Sequence, residues 1–283
     1  MKQGTFTAKL ATQDGRFSLL VFLLSALVVA AVGYTLVFVV SASFSKPDLV
    51  LHGKMVLFPK GFNVNAYREV FRNAKIWQGY WNTIVLTVVG TAVNVALTLM
   101  AAYPLSRRDL PGGRVLMLMV TFTMYFSGGL VPTYLLVRDL GIVDTVWSLI
   151  LPGAIATYNL IVTRTFFQSS IPAELYEAAE IDGCGNTQML WRIVLPLSSA
   201  IIAILVLYYS VAHWNAYFGA LIYLRSPQKY PLQLILREIL ILNQTEEMGT
   251  NEVGMGEKIL LAESIKYSVI VVSSMPVMLL YPF

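Results

Sequence analysis

Cysteine, histidine and charged side chains are all scarce in this chain of 283 residues. Cys184 is the single cysteine, which excludes an intramolecular disulfide framework and any multi-cysteine metal site. The two histidines, His52 and His213, lie far apart in sequence and make a poor metal-binding set. Charged residues make up 13% of the chain and hydrophobic residues 57%, whereas soluble proteins average about 25% charged. Because this composition cannot cover a soluble surface, we predict an integral membrane protein.

The motifs of nucleotide-binding and hydrolytic enzymes are also missing. No G-x-x-x-x-G-K-[ST] loop, G-x-S-x-G elbow or H-E-x-x-H pair occurs, and Gly254 to Lys258 has the wrong spacing for a phosphate-binding loop. The net charge of +4 is modest and does not indicate nucleic acid. We therefore predict that the chain is not an enzyme and binds no cofactor or metal.

Long apolar runs alternate with shorter polar segments along the whole chain. About 20 apolar residues form a helix that crosses a bilayer, so the pattern predicts an all-α polytopic protein with one transmembrane domain, residues 1–283. The predicted spans are 17–40, 82–105, 115–137, 145–167, 197–224 and 265–283. The first is too long for a signal peptide and is expected to be retained. Gly128, Gly129 and Pro132 are expected to bend the third.

Two polar loops, residues 45–80 and 225–263, separate spans. A short amphipathic helix is predicted in the first, with Asn63 or Asn65 as its cap. An aromatic group formed by Trp77, Tyr80 and Trp81 is predicted at the membrane interface, where the second span begins. A second amphipathic helix, residues 231–240, is predicted to lie at the surface.

Residues 171–196 form a polar island between apolar runs. Pro172 suits a first helical turn, and early Glu174 and Glu177 complement the helix dipole. Gly183 is typical of a left-handed helix stop. A helix over residues 172–182 is too short to cross a bilayer, so we expect it to have a partner.

Glu177-Ala178-Ala179, Gly183 and Ile193-Val194-Leu195-Pro196 together resemble the "EAA" signature of membrane subunits of bacterial ABC importers. In that family the segment is a cytoplasmic coupling helix that docks on the ATPase subunit; the alternative is an ordinary surface helix in a loop. The resemblance implies coupling roles for Glu177, Ala178, Ala179, Asp182, Gly183, Ile193, Leu195 and Pro196 within a coupling segment at residues 171–196.

The chain from Phe17 onward resembles the six-helix permease of a carbohydrate (maltose-type) type I importer, in the branch that takes complex or acidic, alginate-type oligosaccharides. The motifs concerned are Phe126–Tyr134, Arg164–Phe167, His213–Asn215 and Tyr230–Gln233. The resemblance implies a second related permease, two ATPase subunits that hold ATP and Mg, and an extracytoplasmic solute-binding protein. By position alone, it implies binding-protein contacts at Asn243, Glu246, Gly249 and Gly254.

Polar groups inside spans are costly and need a partner or a water-filled path. The candidate translocation-path residues are His213, Trp214, Asn215, Tyr217 and Asn159. Hydrogen bonding between helices is the competing interpretation.

The coupling segment predicts a cytoplasmic N-terminus in the bacterial inner membrane. The charge pattern disagrees, since that orientation leaves eight of the twenty Lys and Arg residues inside and twelve outside. We give the coupling segment precedence, because an ATPase partner must be cytoplasmic. An amino-acid or phosphate importer permease, and a membrane enzyme or structural subunit, are the other functions that the sequence allows.

Overall fold

A computed structural model describes residues 13–239 and 255–280 of the chain. Within these ranges the regular elements are helices, and no strand is present. In chain order the α-helices are α1 (Gln13–Ser43), α2 (Pro47–Leu51), α3 (Asn65–Arg72), α4 (Ala74–Ser106), α5 (Gly113–Tyr125), α6 (Leu130–Asp139), α7 (Trp147–Ile150), α8 (Thr157–Ser170), α9 (Ala173–Ile181), α10 (Asn186–Met189), α11 (Leu195–Leu197), α12 (Ser199–Trp214), α13 (Phe218–Tyr223), α14 (232–239) and α15 (Met255–Leu280). The all-α class predicted from the sequence is confirmed.

The chain divides into two compact units, which are Met1–Arg72 with Ile239–Ser274, and Asn73–Glu238 with Met275–Phe283. In the first unit, the end of α1 is fixed by aromatic and hydroxyl contacts. Phe44 stacks on Tyr67 with ring centroids 4.9 Å apart, and the Ser43 and Tyr67 hydroxyls are hydrogen-bonded at 2.7 Å. Phe38 meets Tyr267 of α15 edge-on at 6.1 Å.

The membrane crossings differ from the predicted set of continuous spans. By length and composition, α1 from Phe17 to Ser43 and α4 can each cross a bilayer alone. Three bent pairs raise the number to five among the described residues: α5 with α6 at 114°, α7 and its 3₁₀ extension with α8 at 54°, and Asn186–Leu197 with α12 at 83°. Spans 115–137, 145–167 and 197–224 are thus interrupted, the last because α12 ends at Trp214. The sixth predicted span lies on α15, and its residues 281–283 are outside the described ranges.

The second span begins earlier than its hydropathy predicts. Asn73 accepts a hydrogen bond from the Lys75 N–H at 3.0 Å and so caps α4 at residue 74. Trp77, Tyr80 and Trp81 therefore lie on the first turns of the helix, not in the loop that was predicted to end at residue 80. The short helix α3 is confirmed, with the Asn63 side chain accepting from the Asn65 N–H at 2.8 Å.

Helix α14 is not a surface helix. Leu232, Leu234 and Ile235 are each at most 5% exposed, and the Leu232 N–H donates to the Thr83 hydroxyl of α4 at 2.8 Å. A Cβ at Gly79 would lie 2.6 Å from the Ile235 side chain, so glycine is what allows this close approach. The predicted helix is correct, and its predicted surface position is wrong.

The core of the second unit is built from helices distant in sequence. Val95 and Leu99 of α4, Leu160 of α8 and Leu205 of α12 belong to one buried cluster, which also includes Ala179 of α9. Apolar helices gain little from leaving lipid, so close packing holds such a bundle together. The cluster thus joins the apolar helices to the coupling segment.

Candidate functional site

Helix α9 forms the centre of the predicted coupling segment. It runs from Ala173 to Ile181, with Pro172 as N-cap and Asp182 as C-cap. Gly183 has φ +76°, where a side chain would be strained, and the Cys184 N–H donates to the Ala179 carbonyl at 2.8 Å. The left-handed stop predicted at Gly183 is confirmed.

One face of α9 is left uncovered by the described residues of the chain. Glu177, Ala178, Asp182 and Gly183 are exposed, and the Ile181 side chain at the helix end is 86% exposed. The Ile181 side chain and the neighbouring carboxylates of Glu177 and Asp182 are thus left uncovered by the described part of the chain.

Ala179 faces the opposite way. It is 7% exposed and belongs to the core cluster, so its small size serves packing within the chain. The resemblance implies a coupling role for Ala179, but this side of α9 is already covered within the described chain, so Ala179 does not lie on the exposed face. Ile193 and Leu195 are half-buried against the same cluster, so their packing holds the segment on the bundle.

Pro196 accounts for the irregular end of the coupling segment. A proline lacks the N–H that an α-helix would bond to the carbonyl four residues earlier, and Leu190–Val194 just before it form a π-helical turn. The chain bends by 83° between this part and α12. Pro196 itself is exposed.

Arg107 links α9 to the end of α4. Its guanidinium donates to Asp109 at 2.8 and 2.9 Å and to Glu180 of α9 at 2.6 Å, and it lies 5.1 Å from the centre of the Tyr176 ring. These hydrogen bonds hold the pKa of Arg107 above its ordinary value and the pKa of Asp109 below its own. Arg107 therefore stays protonated and Asp109 stays ionised in this contact.

The end of α4 is capped from α8. The Arg164 Nε donates to the Leu105 carbonyl at 2.8 Å, and the Gln168 amide donates to the Ser106 carbonyl at 3.1 Å. Carbonyls in a last helical turn have no partner within their helix. A cavity of about 620 Å³ lies between this helix end and α9, lined by Arg107, Tyr176 and Glu177 among others.

A second polar group lies at the contact of α4 with α12. The Asn94 amide and the His213 Nε2 are 3.1 Å apart, and both residues are buried. Near them, the Thr98 and Tyr209 hydroxyls are hydrogen-bonded at 2.7 Å. His213 therefore has a partner on another helix, as the interhelical interpretation requires.

The other candidate path residues are divided between the interior and the surface. Trp214 is 4% exposed and meets Tyr80 edge-on at 6.2 Å, and Asn159 is buried in α8. Asn215 is exposed and donates to the Val211 carbonyl at 2.9 Å. Tyr217 is 44% exposed, with the Arg237 guanidinium 6.0 Å from its ring centre. Of the five candidate path residues, Asn215 and Tyr217 are the two that are exposed.

The predicted binding-protein contacts Asn243, Glu246, Gly249 and Gly254 lie outside the described residues. Within residues 13–239 and 255–280, no three His, Cys, Asp or Glu side chains are grouped to hold a metal ion. Sequence reasoning missed Arg107, Glu180 and Gln168, whose contacts join distant parts of the chain. A basic residue directly after a long apolar run is the one local signal that could have indicated Arg107.

No protein-family model matches the chain. The polygalacturonan/rhamnogalacturonan transport system permease protein YtcP of Bacillus subtilis is 44% identical over 245 residues, which are 87% of this chain and 85% of that protein. Protein LplC of the same organism is 42% identical over 246 residues, 87% and 82% of the two chains.

A solved structure extends the similarity to the fold. It is the crystal structure of a bacterial ABC transporter involved in the import of the acidic polysaccharide alginate, and it matches with a TM-score of 0.85 and 30% identity over 96% of each chain. Taken with the apolar helices and the coupling segment, these likenesses show that the chain belongs to the carbohydrate permeases of ABC importers, multi-pass inner-membrane proteins that carry out transport and are not enzymes.

Proposed function

We propose that this chain is a permease subunit of an importer for acidic, uronate-containing oligosaccharides. The likeness that carries the proposal is the 44% identity to a polygalacturonan/rhamnogalacturonan permease over 87% of the chain. The structural neighbour imports alginate, which is also acidic. Both cargoes are built from sugar carboxylates, so the shared chemistry is an anionic oligosaccharide.

The proposed complex contains a second related permease, two ATPase subunits and a solute-binding protein outside. ATP and Mg are held by the ATPases, because this chain has no phosphate-binding loop. The exposed face of α9, with Glu177, Ala178, Asp182 and Gly183, contacts an ATPase in the cytoplasm. Ile181, 86% exposed, supplies the apolar anchor of this contact.

Charge in the first polar loop supports an anionic cargo. Residues 46–72 contain five basic and two acidic side chains, a net charge of +3, and the five basic residues are Lys46, Lys54, Lys60, Arg68 and Arg72. Lys46, Lys54 and Lys60 are exposed. With a cytoplasmic N-terminus this loop lies outside, where a positive field increases the encounter rate with anionic solutes.

The test is uptake by proteoliposomes that contain the whole importer. Labelled oligogalacturonate is compared with the same oligomer after methyl esterification of its carboxyls, so that chain length and ring shape are matched. We expect ATP-dependent uptake of the acid, at least tenfold faster than of the neutral ester. We also expect binding-protein-dependent uptake to weaken as salt rises from about 50 to 300 mM, since surface charges are screened.

Equal uptake of both oligomers would contradict the proposed acidic specificity and leave a general carbohydrate permease. Uptake of a neutral oligosaccharide alone would contradict it as well. A variant with Lys54→Gln and Lys60→Gln should lower the uptake rate of the acidic oligomer without changing that of a neutral oligosaccharide. This comparison distinguishes a loss of electrostatic attraction for the anionic cargo from damage to the transporter.

A further inference from the structure

Helix α4 extends from the coupling segment to a second polar contact at its other end. It contains 33 residues, Ala74–Ser106, which is about 50 Å along a helix. Among the described residues of the second unit, α4 is the one helix that can cross a bilayer without a bend, since the other candidate crossings are pairs bent by 54–114°. A bend can absorb a displacement, whereas an unbroken helix can carry it from one end to the other.

Arg107 joins the C-terminal end of α4 to α9. Its side chain is only 14% exposed, and its guanidinium donates to two carboxylates, Asp109 and Glu180. Asp109 lies in the loop that continues α4, so it is the bond to Glu180 that crosses to the coupling segment. The two carboxylates are similarly exposed, at 67% and 56% of their side chains. They therefore differ mainly in the element to which they tie Arg107.

Directional bonds fix the orientation of α9 on α4. Ala179 packs in the same apolar cluster as residues of α4, but apolar contacts are non-directional. A guanidinium held by carboxylates adds a defined geometry to this packing. The backbone that carries Arg107 is itself fixed, because Arg164 and Gln168 of α8 donate to the last two carbonyls of α4. Arg107 thus connects α9 to a helix end that is held in place.

The other end of α4 holds segment 228–231, which precedes α14. The Asn82 amide donates to the Gln228 and Tyr230 carbonyls at 2.7 and 3.0 Å. One turn of the same helix also supplies the Thr83 hydroxyl, which accepts from the first N–H of α14 at 2.8 Å. These bonds are made to the main chain, so the path of this segment is fixed by its contact with α4.

Polar contacts at the two ends of one unbroken helix connect α9 in series with segment 228–231. We propose that Arg107 and Asn82 are positioning residues of the transport cycle, so that a displacement of α9 moves segment 228–231 through α4. In sequence this segment leads through α14 towards residues 243–254, where contacts with the solute-binding protein are predicted. The inference rests on the proposed function for the ATPase that displaces α9. Loss of either contact should leave ATP hydrolysis in place while less sugar is moved per ATP.

The coupling ratio, the number of sugar molecules taken up per ATP hydrolysed, tests the contact with α9 in proteoliposomes that contain the whole importer. Glu180→Ala and Asp109→Ala each remove one carboxylate partner of Arg107 and one negative charge. We expect Glu180→Ala to lower the ratio about threefold or more, and Asp109→Ala to leave it nearly unchanged. Arg107→Ala should act like Glu180→Ala, whereas Arg108→Ala, which removes the exposed neighbouring charge, should not.

The double variant Asn82→Ala/Glu180→Ala tests whether the two ends of α4 act in series. Asn82 lies about 38 Å along the helix from Arg107, and Asn82→Ala alone should lower the coupling ratio by a factor similar to that of Glu180→Ala. Because one lost contact already interrupts the connection, the double variant should be no worse than the stronger single variant. Independent contacts this far apart would instead multiply their effects. If Asn82→Ala does not assemble, Thr83→Val replaces it.

Equal coupling ratios for Glu180→Ala and Asp109→Ala would overturn the role of the contact with α9. An unchanged ratio in Asn82→Ala, or multiplied losses in the double variant, would overturn the connection through α4. Loss of the ATPase from Glu180→Ala but not from Arg107→Ala would overturn the inference as well, since Glu180 would then belong to the docking surface. If the wild-type importer does not transport oligogalacturonate, the proposed acidic cargo fails instead, and the ratios are measured with the sugar that is transported.

Discussion

Gly90 determines how closely α4 and α12 approach each other. A Cβ at this position would lie 2.5 Å from the His213 Nε2, so Gly90→Ala must displace the ring from Asn94. Overpacking of this kind costs about 1–3 kcal/mol, and we expect a lower unfolding temperature in detergent. Gly33→Ala is the control, because a Cβ there meets no atom within 4 Å.

The double variant Gly90→Ala/His213→Ala tests whether the clash with the His213 ring causes the loss of stability. In a His213→Ala background, Gly90→Ala should destabilise the protein much less, since the clashing ring is absent. An equal loss in both backgrounds would show that the contact with His213 is not the reason.

Asp144 holds the turn before α7 to the segment after α13. It has φ +60°, a conformation that Asp and Asn adopt more readily than most residues. Its carboxylate accepts hydrogen bonds from the Arg225 and Ser226 N–H groups at 3.0 Å each and from Lys229 at 2.8 Å. The bonds from Lys229 and Ser226 hold the pKa of Asp144 well below its ordinary value.

This lowered pKa predicts a pH dependence. A carboxyl with a lowered pKa in the folded state stabilises fully above its unfolded pKa and loses that effect as pH falls towards its folded pKa. Asp144→Asn should thus lower the unfolding temperature by a constant amount from pH 8 to 5. The difference from the wild type should narrow only below about pH 4.

Asp144→Ala should be less stable than Asp144→Asn, because alanine also has the unfavourable backbone conformation. A difference between Asp144→Asn and the wild type that already narrows between pH 7 and 6 would contradict the assignment of the effect to this carboxyl.

Among the helices, local sequence signals predicted the position of each helix well, but they predicted poorly which of its sides is buried. Proline, alanine and glycine placed α9 correctly because each acts through its own backbone. Ala179 is buried and Ala178 is exposed because of where α4 and α8 lie. The nine residues of α9 carry no information about the positions of those helices. Gly128 and Gly129 indicated the bend in the third span. The break after α12 carries no such glycine or proline.

The adjacent alanines of α9 give a test of coupling. Ala178→Trp adds bulk on the exposed face and should weaken recovery of the ATPase subunit about tenfold or more, equivalent to 1.4 kcal/mol. The fold should keep its unfolding temperature. Ala179→Trp inserts the same ring into the core and should instead destabilise the chain by about 1–3 kcal/mol or more.

Pull-down of the ATPase and thermal unfolding in detergent measure the two effects separately. Normal ATPase recovery and sugar-dependent ATP hydrolysis with Ala178→Trp would show that this face of α9 does not dock. Unchanged stability of Ala179→Trp would contradict the burial of Ala179 in the core of the chain.

At the scale of the whole molecule, the chain leaves much apolar surface uncovered. None of the most apolar 18 residues of α1 is buried within the chain, and 44% of those in α4 are. Lipid and a second permease are the surfaces that such helices require. Composition alone predicted a membrane protein. Its orientation had to be predicted from the coupling motif, because twelve basic residues lie on the predicted outer side and only eight on the inner side.

The sidedness of the chain can be measured by cysteine labelling. By length and composition α1 and α4 can each cross a bilayer alone, so we expect residue 60 on the opposite side of the membrane from residue 108. The Arg107–Glu180 contact places residue 108 on the same side as α9, which docks in the cytoplasm under the proposed function. In a Cys184→Ala background, Lys60→Cys should therefore react with an impermeant thiol reagent in intact cells. Arg108→Cys should react only after permeabilisation. Both positions are exposed, so access to the side of the membrane decides the result. Labelling of position 108 from outside would reverse the topology and separate α9 from any cytoplasmic ATPase.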